Sequence, residues 1–350
     1  MKSNNFSRRL IQWFKKNKRD LPWRRTRDPY KIWISEIMLQ QTTVAAVIPY
    51  YNQWVRRFPT IQSLAKSHPQ SVLKFWQGLG YYNRARNLHR ASKILVKNFG
   101  AKIPENKNDL ASLPGFGPYT VGAVLSIAFD QREPIVDANV RRVIMRILSL
   151  KGLAEPRHDK HIMKFLDTVM PSCNISAFNQ GLMELGALVC RSGQALCLQC
   201  PLRNHCRACA QGIQERIPST KQKYLKRRDV VVAIIKNKNK FFIQKRPPKG
   251  LLADLWEFPG GKKEKGEGLK NALIREIREE IGSDVVSSTL FLKIKHFYTQ
   301  FCINLYAFRC HVVPLPKTDR WHKWVSLEAI QNYPMPSGTS KIVEKLNLDK

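Results

Sequence analysis

The chain has 350 residues, of which 43% are hydrophobic and 25% charged, and 60 Lys and Arg face 26 Asp and Glu to give a formal net charge of +34. The length allows two or three domains, and the composition is ordinary for a folded soluble protein. Apolar runs are too short to cross a bilayer, and the basic N-terminus lacks the apolar core of a secretory signal, so we expect a cytoplasmic protein. The positive charge favours an anionic partner, and nucleic acid is favoured over a membrane surface. A genome-wide bias towards lysine is the alternative explanation of this charge.

Residues 6 to about 217 carry apolar positions at three- and four-residue spacing, which predicts helices. The first long segment, 33–58, keeps this spacing with a single break at Pro49. Residues 68–100 indicate a short helix, a turn at Gly78–Gly80 and a longer basic helix. Further helices are predicted over 108–129, where a glycine turn divides two helices, and over 137–150 and 176–190.

The composition and the apolar spacing of the sequence change at about residue 218. Residues 218–228 are polar and basic without an apolar period, which predicts a linker. After them, runs of β-branched and aromatic residues predict strands, interrupted by one helix over 269–282. The predicted fold is therefore multidomain, with an all-α domain over 1–217 and an α/β domain over 229–345.

Four cysteines lie within seventeen residues with the spacing C-x6-C-x2-C-x5-C: Cys190, Cys197, Cys200 and Cys206. In a cytoplasmic chain such a group indicates metal binding rather than disulfides. The spacing suits a tetrahedral zinc or a cubane iron–sulfur cluster without separating them, and unligated thiols are the third possibility. Cys209 lies outside the pattern and is expected to be a free thiol.

The stretch LPGFGPYTVGA places Gly115 and Gly117 directly before a helix that starts with Pro118. Glycines allow a close approach of the backbone, and a helix start offers free N–H groups to a phosphate. The arrangement fits a helix–hairpin–helix, at about 109–129, that holds a DNA backbone without reading its sequence. A plain turn between two packed helices explains the same residues.

Two carboxylates stand out because apolar residues surround them. Asp137 follows Pro-Ile-Val, which indicates partial burial, although the same aspartate could simply cap the next helix. Glu36 lies within IWISEIMLQQT and could be desolvated, with a raised pKa. The residue pattern alone favours the alternative for Glu36, an exposed glutamate in a salt bridge.

Residues 255–282 read LWEFPGGKKEKGEGLKNALIREIREEIG and fit G-x5-E-x7-R-E-U-x-E-E-x-G, the box of the Nudix hydrolases, with Ser283 in its last apolar place. Glu276, Glu279 and Glu280 are three and four residues apart and so share one helix face. Such a face can hold Mg²⁺ or Mn²⁺, which would clamp a pyrophosphate. The alternative is a solvated helix face on which Arg275 pairs with Glu279.

The order of these segments resembles the adenine DNA glycosylases of the MutY family, in the helix–hairpin–helix superfamily that includes endonuclease III. The resemblance covers nearly the whole chain. It is carried by LPWR at 21–24, SEIMLQQT at 35–42, GLGYYNRARN at 78–87, LPGFGPYTVGA at 113–123, VDANVRRV at 136–143 and the four cysteines.

The resemblance implies a base excision repair enzyme that removes adenine opposite 8-oxoguanine or guanine from duplex DNA, after extruding the base into a pocket. Glu36 would protonate the purine at N7. Asp137 would stabilise the oxocarbenium-like sugar, a division of labour between two acids as in sugar hydrolysis. Tyr119 would hold the acid and the sugar, and Asn139 would orient Asp137.

The resemblance also implies the contacts with DNA and the cofactor. Trp23 and Arg24 would line the adenine pocket, and the cysteines Cys190, Cys197, Cys200 and Cys206 would carry a [4Fe–4S] cluster. Further contacts with the DNA would come from Gln41 and Tyr81, wedged into the base stack, and from Gly115 and Gly117 at a backbone phosphate. The expected protein is a monomer, without a membrane partner, that associates with the nucleoid through DNA.

Tyr119 occupies the place where bifunctional relatives carry the lysine that forms a Schiff base, so hydrolysis without strand scission is expected. A glycosylase for thymine or uracil opposite guanine is the enzymatic alternative, because relatives with tyrosine at this place have that activity. A DNA-binding protein with a structural cluster is the non-enzymatic alternative. Glu36 and Asp137 at their family positions argue against it.

Members of this family carry a C-terminal Nudix-like domain that recognises 8-oxoguanine and normally lacks the catalytic box. The intact box with Glu276, Glu279 and Glu280 therefore leaves two interpretations, a lesion reader with a relic of the box or a second activity on oxidised nucleotides with Mg²⁺. The family precedent favours the reader. Its contact with the oxidised guanine would come from Tyr298, Thr299 and Gln300.

Overall fold

The computed structural model describes residues 3–219, 226–297 and 301–349, and its residues form two compact units. The N-terminal unit comprises Met1–Lys66 and Asn87–Gln222, and the C-terminal unit comprises Ser67–Arg86 and Lys223–Lys350. In the described parts of the chain, no helix has the length and apolar character of a membrane span.

Helices occupy the chain from Ser3 to Ala210, as the apolar spacing predicts. Their bounds are α1 Ser3–Asn17, α2 Pro29–Leu39, α3 Val44–Arg57, α4 Ile61–Ala65, α5 Pro69–Trp76, α6 Asn83–Asn98, α7 Lys107–Ala111, α8 Pro118–Ala128, α9 Ala138–Leu148, α10 Asp159–Val169, α11 Ile175–Leu188 and α12 Arg207–Ala210.

A core between α1, α9, α10 and α11 holds part of the N-terminal unit together. Phe6 and Leu10 of α1 are fully buried against Ile144, Leu166 and Leu182. Each such side chain contributes about 1.5–3 kcal/mol when it is removed from water. This core fixes α9 and α11 side by side, and both helices carry residues of the candidate site.

The break predicted at Pro49 is wrong. Helix α3 runs through Pro49, and the interruption falls earlier, between the end of α2 and Val44, where Gln41 adopts a left-handed backbone with φ 56°. Proline removes one helical hydrogen bond, here to the carbonyl of Ala45. Because Ala45 is exposed, water can bond that carbonyl in place of the missing N–H.

The C-terminal unit is an α/β structure around a mixed sheet. Its strands and helices are β1 Lys226–Asn237, β2 Lys240–Lys245, β3 Trp256–Glu257, α13 Leu269–Ile281, β4 Asp284–Phe297, β5 Phe301–Val313, β6 His322–Ser326, α14 Leu327–Ile330 and α15 Ser337–Leu348. The strand order is β3-β2-β1-β5-β4, with β6 also paired to β2. Strands β1 and β5 are parallel, and the other pairs are antiparallel.

The alternation of side chains along β1 separates two apolar layers. Val231 and Ala233 face the layer that contains α13, whereas Val232 and Ile234 face the layer that contains α15. Strand residues point alternately to the two faces of a sheet, so a continuous apolar run such as DVVVAII serves both layers. The predicted α/β fold is confirmed, and α14 and α15 are helices that the sequence pattern did not indicate.

The segment Ser67–Arg86 groups with the C-terminal unit rather than with the helical domain to which its sequence position assigns it. Gln70 accepts a hydrogen bond from the indole of Trp256 at 3.1 Å, and Gln77 donates to Ser340 at 2.7 Å. Strand β1 also begins at Lys226, inside the predicted linker 218–228. The predicted boundaries treat the N-terminal domain as continuous in sequence, which these side-chain contacts contradict.

Candidate active site

Glu36 lies on α2, whose second half is buried on every face. The helix begins at Pro29 after Asp28, whose carboxylate accepts the backbone N–H of Tyr30 at 2.9 Å. All residues from Ile32 to Met38 are buried, so Glu36 is carried into the interior with 4% of its surface exposed. The exposed, ion-paired glutamate that the residue pattern favours is therefore wrong.

Tyr119 supplies the hydrogen-bond partner of this acid. It follows Pro118 at the start of α8, where Gly117 is the N-terminal cap of the helix. The Tyr119 hydroxyl donates to Glu36 Oε2 at 2.8 Å. The glycine turn thus places a buried phenol directly on the carboxyl of another helix.

The environment of Glu36 keeps a substantial fraction of this carboxyl protonated at neutral pH. Burial is the largest influence and raises the pKa of Glu36 to about 7, with the negative charge of Asp137 acting in the same direction. The hydrogen bond from Tyr119 and the positive charge of Arg24 lower this pKa in part. A carboxyl with a pKa near the working pH can donate a proton and recover it, as a general acid must.

Asp137 differs from Glu36 in that hydrogen-bond donors contact both of its carboxylate oxygens. It caps α9, where Oδ1 accepts the Val140 N–H at 2.6 Å and Oδ2 accepts the Asn139 side-chain amide at 3.1 Å. Burial is the largest influence and raises the pKa of Asp137 above its ordinary value, although these hydrogen bonds and the charge of Arg142 lower it in part. Both interpretations of the sequence therefore apply, because the aspartate caps a helix and is partly buried.

The position of Asn139 is set by a glycine on the neighbouring helix. A Cβ atom at Gly186 of α11 would lie 2.6 Å from Asn139 Cβ and 3.1 Å from its Cα. Arg142 reinforces the contact by donating to the Gly186 carbonyl at 2.7 Å and to Asn139 Oδ1 at 2.9 Å. The start of α9, including the cap Asp137, is thereby fixed against α11.

A third buried acid, Glu184 of α11, was not singled out from the sequence. Its carboxylate accepts hydrogen bonds from Arg19 at 2.7 Å and 2.9 Å and from Arg24 at 2.9 Å and 3.0 Å. Burial raises the pKa of Glu184, but these bonds outweigh it and lower the pKa to about 2. A lone acid within the apolar run ISAFNQGLMELGAL is the signal that could have revealed it, as for Glu36.

Arg24 connects the two acidic positions, because it is bonded to Glu184 and its charge acts on the pKa of Glu36. Its neighbour Trp23 is 7% exposed, and its ring packs edge-on against Tyr51 with centroids 5.3 Å apart. The structure therefore gathers Arg24, Glu36, Tyr119 and Asp137 in one region of the N-terminal unit.

The residues predicted to meet DNA are partly at the surface. Gln41 is exposed directly after α2 in its left-handed conformation. Gly115 has φ 87°, and a Cβ there would lie 2.9 Å from Asn87 Cβ, so glycine is required at this turn. Beyond Gly117, where a Cβ would meet open space, the first N–H groups of α8 have no helical acceptor and suit an anion.

The remaining predicted contacts belong to the C-terminal part of the protein. Tyr81 is 42% exposed with φ 48°, and the guanidinium of Arg84 lies 5.6 Å from the centre of its ring. Tyr298, Thr299 and Gln300 lie outside the described residues.

The four predicted metal-ligating cysteines line one small cavity. They are Cys190, Cys197, Cys200 and Cys206, and Cys209 lines the same cavity. Arg146 donates to Cys190 Sγ at 3.2 Å, which suits a sulfur that carries negative charge. Burial raises the pKa of Cys200 to about 12, so that thiol keeps its proton until a metal displaces it.

In the Nudix-like box, ion pairs connect the acidic residues. Arg275 bonds Glu267 at 3.0 Å, Glu276 at 2.9 Å and Glu279 at 3.2 Å. Glu280 accepts the Gly260 N–H at 2.8 Å and the Gln244 amide at 2.6 Å. Across the residues that the structure describes, no three His, Cys, Asp or Glu side chains converge on a position for a single metal ion.

Comparison with known protein families divides the chain in the same order. Residues 34–170 match a family described as HhH-GPD superfamily base excision DNA repair protein. Residues 230–345 match the NUDIX domain family.

Named relatives extend the similarity to almost the entire sequence. An adenine DNA glycosylase from Buchnera aphidicola subsp. Acyrthosiphon pisum is 34% identical over 97% of this chain and 97% of its own length. The human protein of the same name is 34% identical over 78% of this chain and 60% of its own. In the rat protein, 41% identity extends over 58% of this chain.

Solved structures resemble the helical part. A thermostable thymine-DNA glycosylase matches 60% of this chain and 97% of its own with 30% identity and a TM-score of 0.55. An endonuclease III in a non-covalent complex with DNA matches 61% of this chain and 99% of its own with a TM-score of 0.51. At 22% identity, the second likeness concerns the fold alone.

Proposed function

The chain belongs to the adenine DNA glycosylase family and is a base excision repair enzyme, and from this premise we propose that it removes adenine mispaired with 8-oxoguanine or guanine from duplex DNA. The observation that carries the proposal is the buried hydrogen bond between Tyr119 and Glu36. The negative charge of Asp137 also acts on the carboxyl of Glu36. The reaction needs an acid for the base and an anion for the sugar, and these two carboxyls have environments suited to the two roles.

In the proposed reaction, Glu36 begins protonated and donates its proton to N7 of the extruded adenine. The base then leaves neutral, and positive charge develops on the sugar. Asp137 in its ionised form, whose oxygens accept hydrogen bonds from Val140 and Asn139, stabilises that charge until water completes the hydrolysis. Tyr119 holds the ionised Glu36 after the transfer through its hydroxyl.

The binding steps are assigned by the same family relationship. We propose that Trp23 and Arg24 contact the adenine, that Gln41 and Tyr81 fill the gap in the base stack, and that the turn before α8 takes a backbone phosphate. The last role is supported by the free N–H groups after Gly117. The expected binding species is a monomer on duplex DNA.

A base-release assay on three duplexes tests the proposal. The single-stranded breaks produced by alkali are measured for adenine opposite 8-oxoguanine, thymine opposite guanine, and an intact duplex. We expect breaks in the first duplex alone. Breaks chiefly in the thymine duplex would support the thymine or uracil activity instead, and breaks in none would support a binding protein. Breaks before alkali, with an adduct trapped by borohydride, would contradict monofunctional hydrolysis.

Single-turnover measurements test the two acids directly. Glu36→Gln and Asp137→Asn should each lower base release at least about a hundredfold, since general acid and electrostatic roles each contribute that much. Glu105→Gln, an exposed glutamate of the same unit, is the matched control and should leave the rate unchanged. Full activity of either amide variant would refute the assignment.

For the cysteine cavity we propose a [4Fe–4S] cluster held by Cys190, Cys197, Cys200 and Cys206. The fit rests on four thiols around one cavity and on the arginine donor at Cys190. A cubane takes one thiolate at each of its four irons, so its ligands surround a volume rather than a single ion. When bound, the cluster would supply structural rather than reactive chemistry. It would join the end of α11 to the loop before α12.

For the C-terminal domain we propose recognition of the 8-oxoguanine opposite the adenine, with Tyr298, Thr299 and Gln300 as the contact. Hydrolysis of oxidised nucleotides is a second candidate, and it is favoured by the complete Nudix box. Within the box, Arg275 forms ion pairs with Glu267, Glu276 and Glu279. With 8-oxo-dGTP and Mg²⁺ we expect no release of pyrophosphate. Turnover that disappears in Glu279→Gln would establish the second activity, with Mg²⁺ held by Glu276, Glu279 and Glu280.

A further inference from the structure

The cavity of the four predicted ligands has a fifth cysteine. Cys209 lies three residues after Cys206, so residues 197–209 also contain two C-x2-C pairs, Cys197 with Cys200 and Cys206 with Cys209. All of these side chains line the same cavity. The cavity therefore offers five thiols to a cluster that takes four ligands.

Cys209 is beside the sulfur whose place it could take. Cys209 lies close enough to Cys197 and Cys206 to interact with both of their thiols. The sulfur of Cys209 therefore lies near the part of the cavity that Cys197 lines. None of the five cysteines is in a disulfide, so each thiol is available as a ligand.

The two alternative ligands differ in how firmly the chain holds them. Cys197 starts a single 3₁₀ turn next to Leu198, which is 83% exposed, and it lies three residues after the exposed stretch 191–194. Cys209 lies on α12, which is anchored by the fully buried Ala208, whose carbonyl accepts the Ile213 N–H at 2.9 Å. Cys197, on the surface turn, is therefore the ligand that the chain holds less firmly.

We propose that Cys209 is a reserve ligand that holds the iron–sulfur cluster when Cys197 cannot, an inference that rests on the proposed cluster. Cys209 would lose its proton to solvent and bind, as a thiolate, the iron that Cys197 otherwise binds. Cys190, Cys200 and Cys206 would remain in place. The exposed stretch 191–194 would then be released from the cluster at its C-terminal end, while the cluster itself is retained.

The test compares iron, acid-labile sulfide and visible absorbance in full-length proteins purified without oxygen. The wild type should contain about four irons per chain. Cys197→Ala should keep at least about half of that iron, and Cys197→Ala with Cys209→Ala should lose about tenfold or more. Cys200→Ala is the matched control, and it should lose the cluster although Cys209 is present, because Cys209 lies beside Cys197.

Alkylation gives a second measurement that does not depend on yield. Iodoacetamide followed by peptide mass spectrometry should modify Cys209 in the wild type and spare it in Cys197→Ala. If Cys197→Ala does not fold, Cys197→Ser provides the same comparison with a smaller change.

Each outcome distinguishes the two proposals. Wild type without iron would overturn the cluster and the reserve ligand together. Iron in the wild type but not in Cys197→Ala would overturn the reserve ligand alone. Equal iron in Cys197→Ala and in Cys197→Ala with Cys209→Ala would also overturn the reserve ligand, because Cys209 would then be unnecessary for retaining the cluster. Loss only in the double variant, with Cys209 protected in the single one, supports the inference.

Discussion

Replacing Tyr119 by phenylalanine should shift the pH dependence of base release. The protonated form of Glu36 is the active one, so the rate should be constant below its pKa of about 7 and fall about tenfold per pH unit above it. The Tyr119 hydroxyl donates to the carboxylate and so stabilises the ionised form. Its removal should therefore raise the pKa and move the alkaline limb to higher pH.

The size of the shift follows from the hydrogen bond. A hydrogen bond to a charged group contributes about 1.5–3 kcal/mol, and one pKa unit corresponds to about 1.4 kcal/mol. The midpoint in Tyr119→Phe should accordingly rise by about one to two units. The plateau should also fall if the phenol contacts the sugar, but a lower plateau leaves the midpoint where it is.

Single-turnover rate constants measured from about pH 5 to about pH 9 give both quantities separately. Tyr30→Phe is the matched control, because Tyr30 is also buried in the N-terminal unit but donates to the Phe58 carbonyl at 2.8 Å. Its profile should coincide with that of the wild type. An unchanged midpoint in Tyr119→Phe would refute the role assigned to Glu36 as the proton donor.

Three further substitutions test the surrounding structure. The pKa of Glu36 is about 7 in the folded protein and 4.5 ordinarily. The contribution of Glu36 to the free energy of unfolding is therefore fully present below about pH 4.5 and is lost as the pH rises to about 7. Glu36→Gln should therefore exceed the wild type by about 3 kcal/mol in urea unfolding at about pH 8, and the advantage should vanish near pH 4.5. Arg24→Ala should lower the free energy of unfolding by about 3 kcal/mol, because it breaks a buried ion pair with Glu184. Gly186→Ala should cost about 1–3 kcal/mol and slow base release, because the new methyl group displaces Asn139.

Matched variants separate these effects from general damage. Arg19 is 36% exposed and leaves Arg24 on Glu184, so Arg19→Ala should cost clearly less than Arg24→Ala. A Cβ at Gly181 of the same helix as Gly186 would meet Leu10 Cγ at 3.2 Å, a side chain that can adjust, so Gly181→Ala should retain base release. Equal losses within either pair would contradict the reasoning, as would a stability difference for Glu36→Gln that does not vary with pH.

Local spacing was sufficient to predict the helices and most of the strands, because each apolar face needs a partner. It misplaced the break at Pro49, because an exposed part of a helix tolerates a proline whose missing hydrogen bond water replaces, and the chain instead turns at Gln41. It also missed α15, whose buried Ile342, Val343 and Leu346 are spread through a polar sequence.

The candidate site shows the same division between local and distant information. The cap at Asp137 is a local feature and was readable, whereas the burial of Glu36 depends on how other helices surround α2. Glu184 could not be matched with Arg19 and Arg24, because the partners lie about 160 residues apart and only the fold brings them together. The place of Cys209 in the wall of the cysteine cavity likewise needed coordinates, because the predicted set of four ligands left it out.

The assignment of 67–86 to the C-terminal unit bears on how the protein can be dissected. A fragment that ends at residue 219 would keep α5 but lose Trp256 and Ser340, the hydrogen-bond partners of Gln70 and Gln77. Without these contacts the stretch 67–86 has fewer interactions to hold it folded, so that fragment would carry an internal stretch open to proteases. Limited digestion is therefore expected to cut such a fragment within 67–86, in the middle of its sequence rather than at its new end.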